Sequence, residues 1–169
     1  INPILTHVNV EKLTEQVNNS FATQLQTSDI PGLIAECSAA LTTEHHHYSK
    51  LAGRACIECL HKETPKTFSQ SVELNKDLFS NEFTTCVKML NSSGFLDSLV
   101  KPERDYQYDI FAIKTLERSY LLKHNNKIVE TPQYMLMRVA VAIGLGHRLT
   151  GQSLNRFSEL IRNTYDAMS

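Results

Sequence analysis

The chain has 169 residues, of which 41% are hydrophobic and 21% are charged, values typical of a globular protein with a substantial core. Its formal net charge is −1, so electrostatics gives no support to a nucleic-acid or membrane-surface partner. No apolar run approaches the ~18 residues that a membrane-spanning helix needs. No secretory leader pattern is visible, so we expect a cytoplasmic protein whose four cysteines stay reduced.

The first part of the chain predicts three short helices. Apolar residues spaced by three and four predict a helix over residues 9–22. Ser28 and Asp29 are good cap residues for a second helix, with Pro31 in its first turn. A third helix is predicted over residues 46–62 by the same apolar periodicity.

The middle of the chain continues the helical pattern. Residues 67–100 predict two or three further helices, because their apolar groups recur at helical spacing. Residues 101–104 are polar and include a proline, which predicts a loop. Residues 109–117 predict another helix with one apolar face.

A small β-hairpin is predicted after this helix. Tyr120–Lys123 and Lys127–Glu130 flank the tripeptide His124-Asn125-Asn126. Asparagine tolerates the left-handed backbone that a tight turn requires, so the tripeptide is expected to form the turn.

The most apolar helix is predicted over residues 133–145. Thr131 is a good cap for it, and Gly144 and Gly146 are expected to end it. Its one charged residue is Arg138, and a helix this apolar is expected to be buried. The last helix is predicted over residues 153–168.

These elements predict a mainly α fold, a multi-helix orthogonal bundle with one small β-hairpin. The first three helices are expected to form a subdomain over residues 1–66, and residues 67–169 the remaining domain. The chain starts without a methionine and stops within a helical pattern, so we expect it to be a piece of a longer protein.

Cys56 and Cys59 have the CxxC spacing, with His61 close behind. A structural metal site would need four ligands, and nothing in the sequence pairs these cysteines with two more. A redox pair belongs at a helix N-terminus, whereas this one lies near a helix end. Both cysteines fit the apolar stripe, so we predict buried structural thiols.

His45, His46 and His47 form a second candidate metal tract. Neighbouring helical residues point about 100° apart, so the sequence predicts a solvated helix start rather than one shared ion. We therefore predict no metal ligands. No nucleophile elbow or phosphate-binding glycine loop occurs, so we predict no catalytic residue in this chain either.

Arg138 lies in the apolar helix and needs a partner, because an unpaired buried charge is strongly destabilising. We predict an ion pair with a carboxylate such as Glu117 or Asp105. The alternative is an arginine directed at a nucleotide phosphate.

Several motifs in order along the chain resemble one family. The matching runs are Lys114–Lys123, Thr131–Val141, Ala40–Thr43, Leu51–Arg54, Leu60–Thr64, Arg104–Tyr106 and Thr164–Ser169. They resemble the N-terminal helical region of the large subunit of class I ribonucleotide reductase. The resemblance extends from about residue 27 to the end of the chain.

The resemblance implies a parent enzyme, ribonucleoside-diphosphate reductase, that makes deoxyribonucleotides for DNA synthesis by radical chemistry. In that family an α/β barrel carries the catalytic cysteines, and none of the four cysteines here matches them. The implied partners are the rest of the large-subunit chain with this barrel, a small radical-generating subunit and further large subunits. Neither a nucleic acid nor a membrane is implied, and the 169-residue piece is expected to be inactive alone.

The resemblance also implies that residues 1–66 are part of an ATP-cone, a regulatory cap that binds ATP or dATP as allosteric effectors. Thr27 and Lys62 fall at positions of nucleotide contacts in the family. Pro31 stands where the family has an aspartate, which Asp29 replaces only if the local alignment slips. The basic hairpin and first helix that grip the phosphates have no counterpart here, so the implied ATP-cone is partial and this piece needs no cofactor of its own.

Two alternatives to a reductase fragment stay open. One is a non-catalytic, possibly viral, relative that kept the helical domain as an interaction module. The other is a plain helical protein with a zinc site at Cys56 and Cys59.

Overall fold

The fold is described from a computed structural model, which covers residues 5–20, 26, 27, 29–148 and 154–169. The described residues form nine α-helices and one two-stranded antiparallel hairpin, so the predicted mainly α fold with a hairpin is confirmed. The elements in chain order are α1 Val10–Asn19, α2 Ile30–Ala40, α3 His46–Glu63, α4 Phe68–Leu74, α5 Asn81–Leu90, α6 Phe95–Leu99, α7 Ile110–Ser119, β1 Lys123–His124, β2 Lys127–Ile128, α8 Pro132–Arg148 and α9 Leu154–Met168.

The chain divides into two compact units. Unit 1 consists of Ile1–Lys62 with Asp105–Ser119, and unit 2 of Glu63–Arg104 with Tyr120–Ser169. Compactness alone does not define domains in the family sense, so the division at residue 66 stays a prediction.

In unit 1, polar side chains and backbone groups fix where the helices begin. Asn9 caps α1, since its side chain accepts a hydrogen bond of 3.0 Å from the backbone N–H of Lys12. The backbone N–H of Asn9 donates to the hydroxyl of buried Tyr48 on α3. Pro31 lies in the first turn of α2, as predicted, whereas the Asp29 side chain makes no cap hydrogen bond. Ser28, and residues 21 and 22 of the first predicted helix, lie outside the described residues.

Gly53 lets the residues just before α7 pack directly on α3. A Cβ atom at Gly53 would lie 2.5 Å from the carbonyl oxygen of Tyr108 and 2.7 Å from the carbonyl carbon of Asp109. Both are backbone atoms, which cannot rotate away as a side chain can. A residue without a side chain is therefore required where this segment crosses α3.

Unit 2 encloses the larger hydrophobic core. It is built from apolar side chains of α4, α5, α6, α8 and α9. Its buried members are Phe68, Val72, Phe83, Cys86, Val87, Leu90, Leu96, Val100, Tyr134, Met137, Ala140, Val141, Phe157, Ile161 and Tyr165. The hydroxyl of Tyr165 accepts a hydrogen bond from the backbone N–H of Lys101, which ties the segment after α6 to α9.

The hairpin is tighter than the sequence predicted. Each strand has two residues, and the turn consists of Asn125 and Asn126 alone. Both asparagines have positive φ angles, 50° and 62°, as a two-residue type I′ turn requires. His124 pairs with Lys127 instead of joining the turn, because this turn type needs only two left-handed residues.

Helix α8 does not end at its glycines. The Thr131 hydroxyl caps it as predicted, accepting a hydrogen bond of 3.3 Å from the backbone N–H of Tyr134. The prediction that Gly144 and Gly146 stop the helix is wrong, since α8 continues to Arg148. A Cβ atom at Gly144 would lie 2.8 Å from side-chain carbons of both Ile161 and Phe157, so this glycine serves close packing of α8 on α9.

The predicted loop over residues 101–104 is also partly wrong. Pro102–Gln107 forms a 3₁₀-helix, which the proline allows because it starts the segment without needing a backbone donor. The last helix begins at Leu154, and Ser153 lies outside the described residues.

Arg138 makes the buried ion pair that its position demands, but with Glu130. Its Nε and Nη2 atoms donate to the two carboxylate oxygens of Glu130 at 3.0 and 2.8 Å. Glu130 is only 3% exposed and also accepts a hydrogen bond from the backbone N–H of Leu122. The predicted partners bind other residues: Glu117 binds Lys114, and Asp105 binds His61. The prediction that Arg138 forms an ion pair is confirmed, but the carboxylates suggested for it were wrong.

Within the part of the chain that the structure describes, no helix has the length and hydropathy needed to cross a membrane.

We expect Gly144→Ala to lower the free energy of unfolding by up to about 2 kcal/mol, because overpacking costs ~1–3 kcal/mol and the better helix propensity of alanine recovers part of it. Urea unfolding followed by circular dichroism measures the change. The control is Gly146→Ala in the same helix, where a Cβ meets nothing within 4 Å. That variant should gain about 0.5–1 kcal/mol from propensity alone. Equal effects of the two variants would contradict the packing role of Gly144.

We expect Arg138→Met to lower the free energy of unfolding by about 3–5 kcal/mol, because it leaves the Glu130 carboxylate buried without its partner. Adding Glu130→Gln should recover most of the loss, since the amide keeps an acceptor for the Leu122 N–H without the charge. As a control, Lys88→Met removes an ion pair with Glu73 whose side chains are 64% and 50% exposed. That change should leave the free energy of unfolding nearly unchanged, because exposed ion pairs contribute little to stability. A double variant as unstable as Arg138→Met would count against this explanation.

Candidate functional site

Thr27 and Lys62, the two residues placed by resemblance at nucleotide contacts, are both exposed in unit 1. Thr27 lies in a turn before α2, and Lys62 lies in the last turn of α3. No hydrogen bond or ion pair joins these two described residues. Lys62 has a structural role independent of any ligand, because a cation near a helix C-terminus interacts favourably with the helix dipole.

The turn of α3 around Lys62 is held by a cluster of polar side chains, all in unit 1. His61 Nε2 and the carboxylate of Asp105 lie 2.8 Å apart, and Asp105 is fully buried. The Tyr106 hydroxyl donates to the Glu58 carboxylate at 2.7 Å, and its ring packs edge-on against His61. Burial, followed by the hydrogen bond to Glu58 and nearby negative charge, raises the pKa of Tyr106 to about 12. Tyr106 therefore keeps its proton at neutral pH and donates it to Glu58. Together with the His61–Asp105 contact, this hydrogen bond holds the last turns of α3 in place.

Cys56 is buried, as the sequence predicted, whereas Cys59 is only half-buried, and neither forms a disulfide bond. Burial raises the pKa of Cys56, despite the opposing charge of nearby Lys114. A raised pKa disfavours the thiolate, which is the reactive form in nucleophilic, redox and metal-binding chemistry.

The histidine tract differs from the geometry expected of it. One ring nitrogen from each of His45, His46 and His47 lies within 4.8 Å of the others. The helical spacing of 100° does not apply to His45, because α3 begins only at His46. His45 instead caps the helix, its Nδ1 accepting a hydrogen bond of 3.1 Å from the backbone N–H of His47, and this folds the ring over the first turn.

Two surface clefts are lined by described residues of unit 2, and neither lining includes Thr27 or Lys62. One, of about 290 Å³, is bordered by the ion pair of Glu73 and Lys88. The other, of about 350 Å³, is lined in part by Phe95 and Arg162. Ligand pockets for small molecules occupy roughly 300–1,000 Å³ and enclose most of the ligand, so these open clefts are at the lower limit.

Sequence reasoning missed Glu130 and Glu58 as interacting residues. Glu130 directly precedes the cap of α8 and lies eight positions before Arg138, a separation too large for a contact within one helix. The available signal was a carboxylate directly after the apolar pair Ile128-Val129, where the predicted strand meets the predicted helix. Glu58 gave no signal, since its contact with Tyr106 depends on the fold.

A family model described as "Ribonucleotide reductase, all-alpha domain" matches residues 106–169 of the chain. This range starts in the 3₁₀-helix beside α3 and includes α7, the hairpin, α8 and α9.

Relatives extend the similarity to most of the chain. The ribonucleoside-diphosphate reductase large subunit of Variola virus is 41% identical over 149 residues, covering 81% of this chain and 19% of the relative. The large chain from Schizosaccharomyces pombe is 36% identical over 146 residues, which cover 81% of this chain and 18% of that relative. The large subunit from Danio rerio is 40% identical over 147 residues, which cover 80% of this chain and 18% of that relative.

The chain thus spans about a fifth of the length of these relatives. The family model and the relatives agree on the same region, an all-α segment of a reductase large subunit, and this is also the region that the ordered motifs indicated. The chain is therefore similar to the N-terminal, all-α region of ribonucleotide reductase large subunits, as the ordered motifs predicted.

Proposed function

We propose that this chain is the scaffold portion of a ribonucleoside-diphosphate reductase large subunit. The parent protein reduces ribonucleotides to deoxyribonucleotides by radical chemistry, in the cytoplasm, and supplies precursors for DNA replication. The observation that carries this proposal is the identity of 36–41% to reductase large subunits over about four fifths of the chain.

The chemistry of the chain's own residues fits a non-catalytic part. Cys56 has a raised pKa, which is the reverse of what an activated thiol needs. Arg138 donates from Nε and Nη2 to Glu130, which fits a structural ion pair in unit 2. The catalytic thiols belong to the remainder of the parent chain.

We further propose that residues 1–66 are part of an ATP-cone whose effectors are ATP and dATP. An exposed ammonium group such as that of Lys62 forms charge-assisted hydrogen bonds with phosphate oxygens, and the Thr27 hydroxyl can accept or donate. The His61–Asp105 contact of 2.8 Å supports this role, since it anchors the helical turn from which Lys62 projects.

The partners of the parent follow from the same assignment. They are the barrel formed by the rest of the large-subunit chain, a small radical-generating subunit and other large subunits.

Reductase activity of the complete parent protein tests the assignment. The coding region that contains these residues is expressed and assayed with a small subunit, a dithiol reductant and a ribonucleoside diphosphate. We expect deoxyribonucleotide formation, and a Cys59→Ser variant should retain it because this thiol takes no part in the reaction. Failure of the folded parent to form product with a competent small subunit would favour the non-catalytic interaction module instead.

We expect Lys62→Ala in the parent to weaken dATP binding about tenfold or more, because a hydrogen bond between charged groups contributes ~1.5–3 kcal/mol. Equilibrium dialysis with labelled dATP measures the dissociation constant. The matched control is Lys127→Ala, which removes another exposed lysine, in β2 of unit 2. Equal affinities for the two variants would contradict the placement of the effector at Lys62.

A further inference from the structure

We propose that His45, His46 and His47 bind one divalent transition-metal ion, with Zn²⁺ the best suited, through one ring nitrogen each. The three rings meet at the start of α3, with centroids 4.3–4.5 Å apart. One nitrogen from each ring already lies within 4.8 Å of the others. This assignment replaces the sequence-based expectation of a solvated tract and is independent of the reductase function.

The distances are close to those of a bound ion. Tetrahedral Zn²⁺ holds imidazole nitrogens at ~2.0–2.1 Å, which places the nitrogens about 3.4 Å from one another. Bringing atoms at most 4.8 Å apart to that separation takes side-chain rotations of the rings. His46 is exposed and the other two are half-buried, so these rotations disturb no packed core.

The backbone gathers the rings before any metal binds. The Nδ1 of His45 accepts the N–H of His47, and the Nδ1 of His47 accepts the N–H of His7 at 3.3 Å. The ring of His7 also packs 4.4 Å from that of His45. Three rings held together before binding lose less conformational entropy on coordination than three independent surface histidines.

The same contacts define what a metal must displace. A neutral imidazole has one nitrogen with a free lone pair, and in His45 and His47 that nitrogen now accepts a backbone N–H. A coordinated metal would therefore use these two lone pairs, and the backbone N–H groups of His47 and His7 would lose their present acceptors and bind water instead. The helix dipole opposes a cation at the start of α3, but this effect is weak and screened at an exposed site.

Imidazole is the relevant ligand chemistry. Three neutral imidazoles with an open fourth position suit Zn²⁺, Co²⁺, Ni²⁺ and Cu²⁺, whereas Mg²⁺ and Ca²⁺ prefer oxygen ligands. The fourth position is left to water, so the site is open rather than closed like a structural zinc centre.

Zn²⁺ binding to the protein, purified without a polyhistidine tag, tests the proposal. Titration against a chromophoric chelator should give one equivalent of Zn²⁺ per chain, and His45→Gln, His46→Gln and His47→Gln should each weaken binding at least tenfold. Two controls should leave binding unchanged: His124→Gln, which alters a histidine of unit 2, and the double variant Cys56→Ser/Cys59→Ser. Circular dichroism of each variant verifies that it is folded.

The wild-type protein gives a second test that needs no variant. Co²⁺ in place of Zn²⁺ should show the d–d absorption of a nitrogen and oxygen site, without sulfur-to-metal charge transfer. Absence of saturable binding at one equivalent would overturn the proposal. So would a thiolate charge-transfer band, or a loss of binding in the cysteine double variant with no loss in the histidine variants.

Discussion

The buried carboxylate of Glu130 is the constraint that fixes how the hairpin and α8 of unit 2 are arranged. At 3% exposure it would be strongly destabilising alone, and the surroundings supply three donors for its two oxygens. Those donors come from the residue before the hairpin and from the second turn of α8, so one carboxylate fixes the hairpin against the central helix. The neighbouring Val129 carbonyl accepts from the Ser71 hydroxyl, which attaches α4 to the same point.

Two glycines impose a second kind of constraint, close approach of backbone. Gly53 admits the Tyr108–Asp109 backbone onto α3 in unit 1, and Gly144 admits Ile161 and Phe157 onto α8 in unit 2. Neither has a positive φ, so the reason for glycine is space and not conformation. No reactive group takes part in these contacts, which is consistent with the proposed scaffold function.

Patterns local in sequence gave reliable predictions. The spacing of apolar residues located the helices, the Thr131 hydroxyl placed the start of α8, and the two asparagines located the hairpin turn. Several errors arose where contacts outside the local pattern decided the outcome. Gly144 has the composition of a helix stop, but α9 packs on it and the helix continues. The partner of Arg138 and the convergence of the three histidines likewise depended on contacts or on a helix boundary that spacing alone does not reveal.

The sequence by itself determined the mainly α class, the positions of most elements and the similarity to reductase large subunits, because periodicity, caps, turn residues and ordered motifs are properties of short stretches. The need of Arg138 for a carboxylate was equally local, since it follows from charge in an apolar helix. Only the tertiary structure decided that Glu130 is that carboxylate, that two glycines serve close packing, and that His45 folds back over α3 beside His46 and His47. The two glycine contacts depend on residues far apart in the chain that meet in space. The Glu130 pair depends on the path of the chain from the hairpin into α8, and the convergence of the histidines depends on where α3 begins.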